Sequence, residues 1–360
     1  MTLSTYNAIL TAKIVIYLKT SFNMLKLFIT ILTLLYFSVI SFSYAQSFED
    51  LLQGCIFKTI KTIDKSQTLQ QIEEYCEKKI IEEELGNVEI GAISERMIQE
   101  RKSAFNPYVI TPHKMNYILP VSVTDEINPE AYESISSWAD NLKNVEAKFQ
   151  ISIKVPLTTG SLLNTGDQLF FGFTLESWWQ VYTEKLSRPF RETNYQPEFF
   201  YFTPMNWHPF NSNTGVFLGF EHQSNGRSQL LSRSWNRIYA NFLFEKGDFA
   251  LSFRPWYRIP EGDKTTSFDA VGDDNPDIDD YMGHFELGLA YDWHDDYEVS
   301  MKLRENFKER HGAIEIGFTF PLWGKLRGYA QYFNGYGESL IDYNHKQQRI
   351  GIGFALTDIL

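Results

Sequence analysis

From about residue 108 to the C-terminus the chain alternates apolar and polar residues with a period of two, and much of the polar set is charged. Between 144 and 157, Val145, Ala147, Phe149, Ile151, Ile153, Val155 and Leu157 alternate with Glu146, Lys148, Gln150, Ser152 and Lys154. Further on, Phe249, Leu251, Phe253, Tyr257 and Ile259 alternate with Ser252, Arg254, Trp256 and Arg258. Successive side chains of a β-strand point to opposite faces, so each such strand has one oily face and one charged face. A soluble sandwich would bury the oily faces in a dry core, with the charges in water. Here large apolar rows recur on every strand, and no helical pattern among them supplies a cover. A closed barrel in a membrane accommodates both faces, because lipid takes the oily row and the lumen takes the charges. About twelve strands follow from the pattern, near 114–124, 144–157, 167–183, 196–205, 215–224, 232–246, 248–260, 281–294, 296–305, 311–321, 325–334 and 347–359. The expected fold class is all-β, a 12-stranded antiparallel transmembrane β-barrel with a short helical N-terminal periplasmic extension.

The connections agree. Lys246-Gly247-Asp248 and Asp295-Asp296 make short turns at one end, while residues 184–197, 225–233, 261–280 and 335–346 form long polar loops at the other. Composition by itself leaves soluble all-β and membrane barrel open, since a mean hydropathy of −0.28 suits either once a polar lumen dilutes the average. Aromatic residues make up 16% of the chain, enough to form girdles at both membrane interfaces. A formal net charge of −12 argues against a nucleic-acid partner, whose phosphates require a basic surface.

Residues 1–45 read as an export signal. From Met24 an early lysine, a long apolar run and the small-residue end Ser43-Tyr44-Ala45 place cleavage after Ala45, with residues 1–23 an upstream extension. The run is barely long enough for the alternative, a membrane anchor. Residues 46–107 form an acidic, mostly helical extension, with two short helices joined near Lys65-Ser66; residues 108–360 form the barrel domain. The two cysteines, Cys55 and Cys76, either pair, as an exported chain favours, or stay as thiols.

One hairpin stands apart. On residues 215–224 Val216, Leu218, Phe220, His222 and Ser224 share a face, with Glu221 and Gln223 on the other. On the returning arm Ser234, Asn236, Ile238, Ala240 and Phe242 share a face, opposite Arg233, Trp235 and Arg237. A turn centred near Gln229 would set Ser224 against Ser234 and His222 against Asn236. A hydroxyl, an imidazole and a carboxamide then meet at the loop end of an oily row, where a lipid ester could reach them. Serine needs an adjacent base to attack an ester, and imidazole is the base suited to neutral pH.

Several stretches carry a likeness beyond periodicity: SWWQ at 177–180, RPFRETNYQPE at 188–198, HQSNGRS at 222–228, SRSWNR at 232–237, DDNPDI at 273–278 and GYGESLIDYN at 335–344. In these the chain closely resembles the outer membrane phospholipase A family of Gram-negative bacteria. The resemblance implies a multi-pass protein of the cell outer membrane that hydrolyses sn-1 and sn-2 acyl esters of phospholipids and lysophospholipids. It implies Ser224 as nucleophile, His222 as general base, Asn236 as its orienter and the Gly226 amide as an oxyanion donor. It further implies a Ca2+ cofactor held by the Arg227 carbonyl and the Ser232 hydroxyl, with no carboxylate, and completed by Ser187 across a homodimer. The chain departs from the family at Leu175, where the dimer surface carries a glutamine. Inward Glu176, Arg237, Arg254 and Arg258 are expected to fill the lumen as a polar plug.

Overall fold

The computed structural model describes residues 48–357, apart from 62–67, 86–90, 104–105, 107–108, 129, 136–138, 159, 186, 267, 270, 295–296 and 325. The expected signal over 1–45, the junction at Lys65-Ser66 and the Asp295-Asp296 turn lie outside the described residues.

Twelve long strands form one sheet: β1 (Tyr117–Thr124), β2 (Val145–Pro156), β3 (Gln168–Trp179), β4 (Phe190–Pro204), β5 (Asn213–Ser224), β6 (Ser234–Lys246), β7 (Phe249–Ile259), β8 (Phe285–Trp293), β9 (Tyr297–Asn306), β10 (His311–Trp323), β11 (Leu326–Tyr336) and β12 (Lys346–Ala355). Each pairs antiparallel with its sequence neighbours, and β12 returns to β1 through Ile350↔Val123 and Ile352↔Val121, so the sheet closes. Closure removes the unpaired edges that a bilayer cannot solvate. A two-residue strand, Thr111–Pro112, pairs with β2 beyond the stretch that β1 covers.

The parity expectation holds along the wall. Ile151, Leu218, Ile238, Ile350 and Ile352 stand exposed on the outside, while Glu146, Lys148, Glu221, Arg237 and Arg349 are buried inside. Several strand boundaries differ from expectation, among them the end of β3 at Trp179 rather than 183, and two of the differences have a local cause. β4 begins at Phe190, so residues 190–197 of the expected loop 184–197 belong to the wall. Arg191, Glu192 and Asn194 are buried there, and a wall segment polar on its lumen side looks like loop in sequence. β8 begins at Phe285, because Ile278–Met282 forms a short helical turn in the preceding loop. The Lys246-Gly247-Asp248 turn is present, with Gly247 taking the left-handed φ of 53° that a tight hairpin demands.

Ion pairs knit the lumen. Arg191 bridges Glu146 (2.9 Å) and Asp342 (2.8 Å), Lys148 bridges Glu176 and Glu338 (both 3.1 Å), and Arg254 meets Glu221 at 2.6 Å. These charges satisfy one another, as groups buried out of water must. A cavity of about 420 Å³ remains at the centre, lined by Lys114, Glu286, Lys302 and Arg304 among others, so the plug of side chains is incomplete.

Among the described residues three helices precede the barrel, one more than expected: α1 (Phe48–Ile60), α2 (Leu69–Leu85) and α3 (Ala92–Ser103). α1 and α2 pack through Leu52 and Ile80 and are joined by a disulfide between Cys55 and Cys76. α3 docks on the short-turn end of the barrel. Its first-turn amides of Ile93 and Ser94 donate to the Glu245 carboxylate (2.6 and 3.0 Å), which places an anion at the positive end of the helix. Glu100 pairs with Lys154 at 2.6 Å. Ile93, Arg96, Met97 and Glu100 thus line that end of the lumen. Reducing the disulfide is expected to weaken the α1–α2 hairpin by about 3 kcal/mol, the loop-closure entropy it suppresses. Helical circular dichroism should melt earlier in reductant while the β signal stays, and an unchanged helical transition would contradict this.

Candidate active site

The hairpin of β5 and β6 pairs in the expected register, His222 facing Asn236 and Ser224 facing Ser234. His222 Nδ1 lies 2.8 Å from Asn236 Oδ1. Ser224 is two positions along the same face, and all three side chains are half-buried beside exposed Phe220 and Ile238. Among the described residues no hydrogen bond joins the Ser224 hydroxyl to the imidazole, a link often loose before substrate binds. From β4, Tyr195 pairs with Ser224 and puts an aromatic ring on the outer face beside it.

The reverse side of the hairpin holds this row still. Glu221 pairs with Arg237 and with Arg254, and Arg237 stacks 3.9 Å over Trp235, whose indole donates to Gln223 at 2.8 Å. Each of the three residues on the outer row therefore sits next in sequence to a residue anchored in the lumen.

The loop beyond is folded by Asn225. Its Oδ1 accepts from the amides of Arg227 (3.2 Å) and Arg233 (3.0 Å), and its Nδ2 donates to the Leu231 carbonyl at 2.8 Å. Arg227 ties the loop to β4 by donating to the carbonyls of Phe190 and Arg191 (3.0 and 2.8 Å). Gly226 between them takes φ 63°, and a side chain there would press on the Tyr195 ring at 3.2 Å. Its N–H has no hydrogen-bond partner among the described residues.

The expected metal ligands are only partly brought together. Ser232 lies in this loop and its hydroxyl donates to Asp274 Oδ2 at 2.6 Å; Lys264 pairs with the other oxygen of Asp274. Ser187 is exposed in the β3–β4 loop and has no hydrogen bond to Arg227 or Ser232 among the described residues. A carboxylate outside the expected ligand set, Asp274 of the DDNPDI stretch, stands on Ser232. Hydroxyl, carbonyl and carboxylate oxygens are the donor set of a hard cation such as Ca2+, so these residues fit it. No group of three or more His, Cys, Asp or Glu that could hold a metal ion occurs among the described residues. Below this row burial holds the Asp279 carboxyl above its usual range, against the opposing pull of Arg258.

Two further side chains escaped the sequence reading. One is Asp274. The other is Glu261, whose Oε1 accepts from Asn236 Nδ2 at 2.7 Å. A parity signal existed for Glu261: Ile259 pairs with Asn236, and residue 261 is two positions on.

Fold and site together define an outer-membrane β-barrel with a hydroxyl, imidazole and carboxamide clustered on its lipid-facing wall. A family model described as phospholipase A1 matches residues 93–356, and the chain belongs to that family. Phospholipase A1 of Escherichia coli is 38% identical over 271 residues, covering 75% of this chain and 88% of that one. A structure of a Salmonella typhi outer membrane phospholipase, a dimer with bound calcium, is 37% identical with a TM-score of 0.67, over 76% of this chain and all of that one. An Escherichia coli outer membrane phospholipase A structure, an asparagine-to-alanine active-site mutant, gives the same identity and TM-score over 75% and 99% of the two chains.

Proposed function

We propose that the protein is a calcium-dependent phospholipase A1/A2 of the outer membrane, hydrolysing sn-1 and sn-2 acyl esters of phospholipids and lysophospholipids as a homodimer. The observation that carries this reading is the 2.8 Å contact between His222 Nδ1 and Asn236 Oδ1, with Ser224 on the same lipid-facing row. In this reading residues 1–45 are an export signal starting at Met24, 46–107 a periplasmic extension and 108–360 the catalytic barrel.

His222 Nδ1–H donates to Asn236 Oδ1, which leaves the Nε2 lone pair to take the proton of Ser224 Oγ as it attacks the ester carbonyl. The carboxamide orients the ring without placing another charge beside lipid. The tetrahedral oxyanion meets the free N–H of Gly226. The imidazolium then protonates the departing alcohol, and the same base activates water to release the fatty acid from Ser224. Calcium, when bound, supplies positive charge for the developing oxyanion. It would be held by the Arg227 carbonyl, the Ser232 hydroxyl, the Asp274 carboxylate and Ser187 of the partner subunit. Leu175, paired between Ile151 and Tyr195 on the wall, has no hydrogen-bonding group, so apolar packing would replace hydrogen bonding in a dimer contact there.

Fatty-acid release from mixed phospholipid micelles tests the reading. Activity is expected with calcium and lost with chelator, and crosslinked dimers should track it. Asp274→Ala should raise the calcium needed for half-maximal rate by about tenfold or more. A chelator-insensitive rate would remove calcium from the mechanism.

A further inference from the structure

We infer that Glu261 is a positioning residue of the proposed active site: it selects which end of the Asn236 carboxamide faces His222. This rests on the hydrolase reading given above. A carboxamide has one accepting end and one donating end of nearly equal size, and asparagine by itself does not choose between them. With the nitrogen end toward His222, Nδ1 would have to accept, the ring proton would move to Nε2, and Ser224 would face no base. With the oxygen end toward His222, Nδ1 carries the proton and Nε2 is free. An ionised carboxylate only accepts, so it holds the nitrogen end. Glu261 Oε1 lies 2.7 Å from Asn236 Nδ2, and Asn236 Oδ1 lies 2.8 Å from His222 Nδ1. The contact is charge-assisted, the stronger kind of hydrogen bond.

Local structure explains why this side chain arrives there. β7 ends at Ile259, which pairs with Asn236, and Pro260 fixes the next φ. Two residues beyond Ile259 the side chain returns to the outer face. The neighbouring cations of the loop and of β7 are engaged elsewhere, Lys264 with Asp274 and Arg258 with Asp273 at 2.6 Å. Glu261 is thereby left to Asn236.

The test is a four-point cycle in calcium-containing mixed micelles: wild type, Glu261→Gln, Asn236→Asp and the double variant. A glutamine accepts or donates, so Glu261→Gln should lower kcat about tenfold with KM within about twofold. Asn236→Asp sets two carboxylates against each other and should lose more. In that background Glu261→Gln should raise kcat, because the new amide donates to the new carboxylate. A residue that merely packs would not reverse sign between backgrounds. In parallel, nitrogen-15 spectra of labelled histidine, with the His222 signal assigned by its loss in His222→Ala, read the tautomer without turnover. Wild type should carry the proton on Nδ1, and Glu261→Gln should mix the two forms. Fatty-acid release with no sign reversal and an unchanged tautomer overturns the inference and leaves the hydrolase standing. A tautomer that responds in a protein releasing no fatty acid sinks the hydrolase and keeps the contact. If neither responds, the inference is wrong.

Discussion

Ser224→Ala is expected to lower fatty-acid release by at least about 10³-fold, with KM little changed. Removing the nucleophile of such a trio leaves only substrate binding and the oxyanion donor, which by themselves retain a small residue of the rate. The proton that His222 would accept no longer exists, so adding His222→Ala to Ser224→Ala should cost almost nothing more; the members of such a unit act together. The fold should not suffer, because Ser224 stands on the outer, lipid-facing row rather than in the ion-paired lumen. Urea unfolding in micelles should therefore match wild type. A sulfonyl fluoride should label wild type at residue 224 and leave the alanine variant unlabelled. Full activity in Ser224→Ala would exclude this hydroxyl and with it the proposed mechanism.

The second large effect lies one residue from the imidazole, on the opposite face. Glu221→Ala is expected to destabilise the barrel by about 3–5 kcal/mol, the range found when one partner of a buried ion pair is removed. Glu221 is fully buried and accepts from both Arg237 and Arg254, so its loss strands the Arg237 guanidinium and leaves Arg254 with its longer contact to Glu198. Arg237 is held over Trp235 at 3.9 Å and has little freedom to find water. Glu221→Gln keeps the shape and one acceptor, and should cost less. Activity should fall in Glu221→Ala as well, because Glu221 and Arg237 flank His222 and Asn236 along the two strands. Equilibrium unfolding in detergent measures the difference. A change below about 1 kcal/mol would mean that the lumen network does not hold the hairpin.

Much of this was legible from residues alone, for one reason. A β-strand has a side-chain period of two, and the bilayer sorts its two faces by polarity, so the alternation of Val145 to Leu157 with Glu146 to Lys154 specifies wall, inside and outside together. The same parity places His222, Ser224 and Asn236 on the lipid side, and the length of the 225–233 loop sets their register. Legibility failed where polarity and periodicity part company. Residues 190–197 are wall although polar, because partners distant in sequence neutralise them: Arg191 is satisfied by Glu146 and Asp342, which are 45 and 151 residues away.

The division follows from what each kind of interaction requires. Alternation, turn residues and the spacing of the HQSNGRS and SRSWNR stretches are local, and they determined the barrel, the orientation of its faces and the pairing of His222 with Asn236. Tertiary structure alone decided that α3 sits on Glu245 and that Asp274 reaches Ser232. Each of these depends on a loop or helix returning to a distant strand. Closing the sheet into a ring sets such distances, and no pattern of neighbouring residues encodes them.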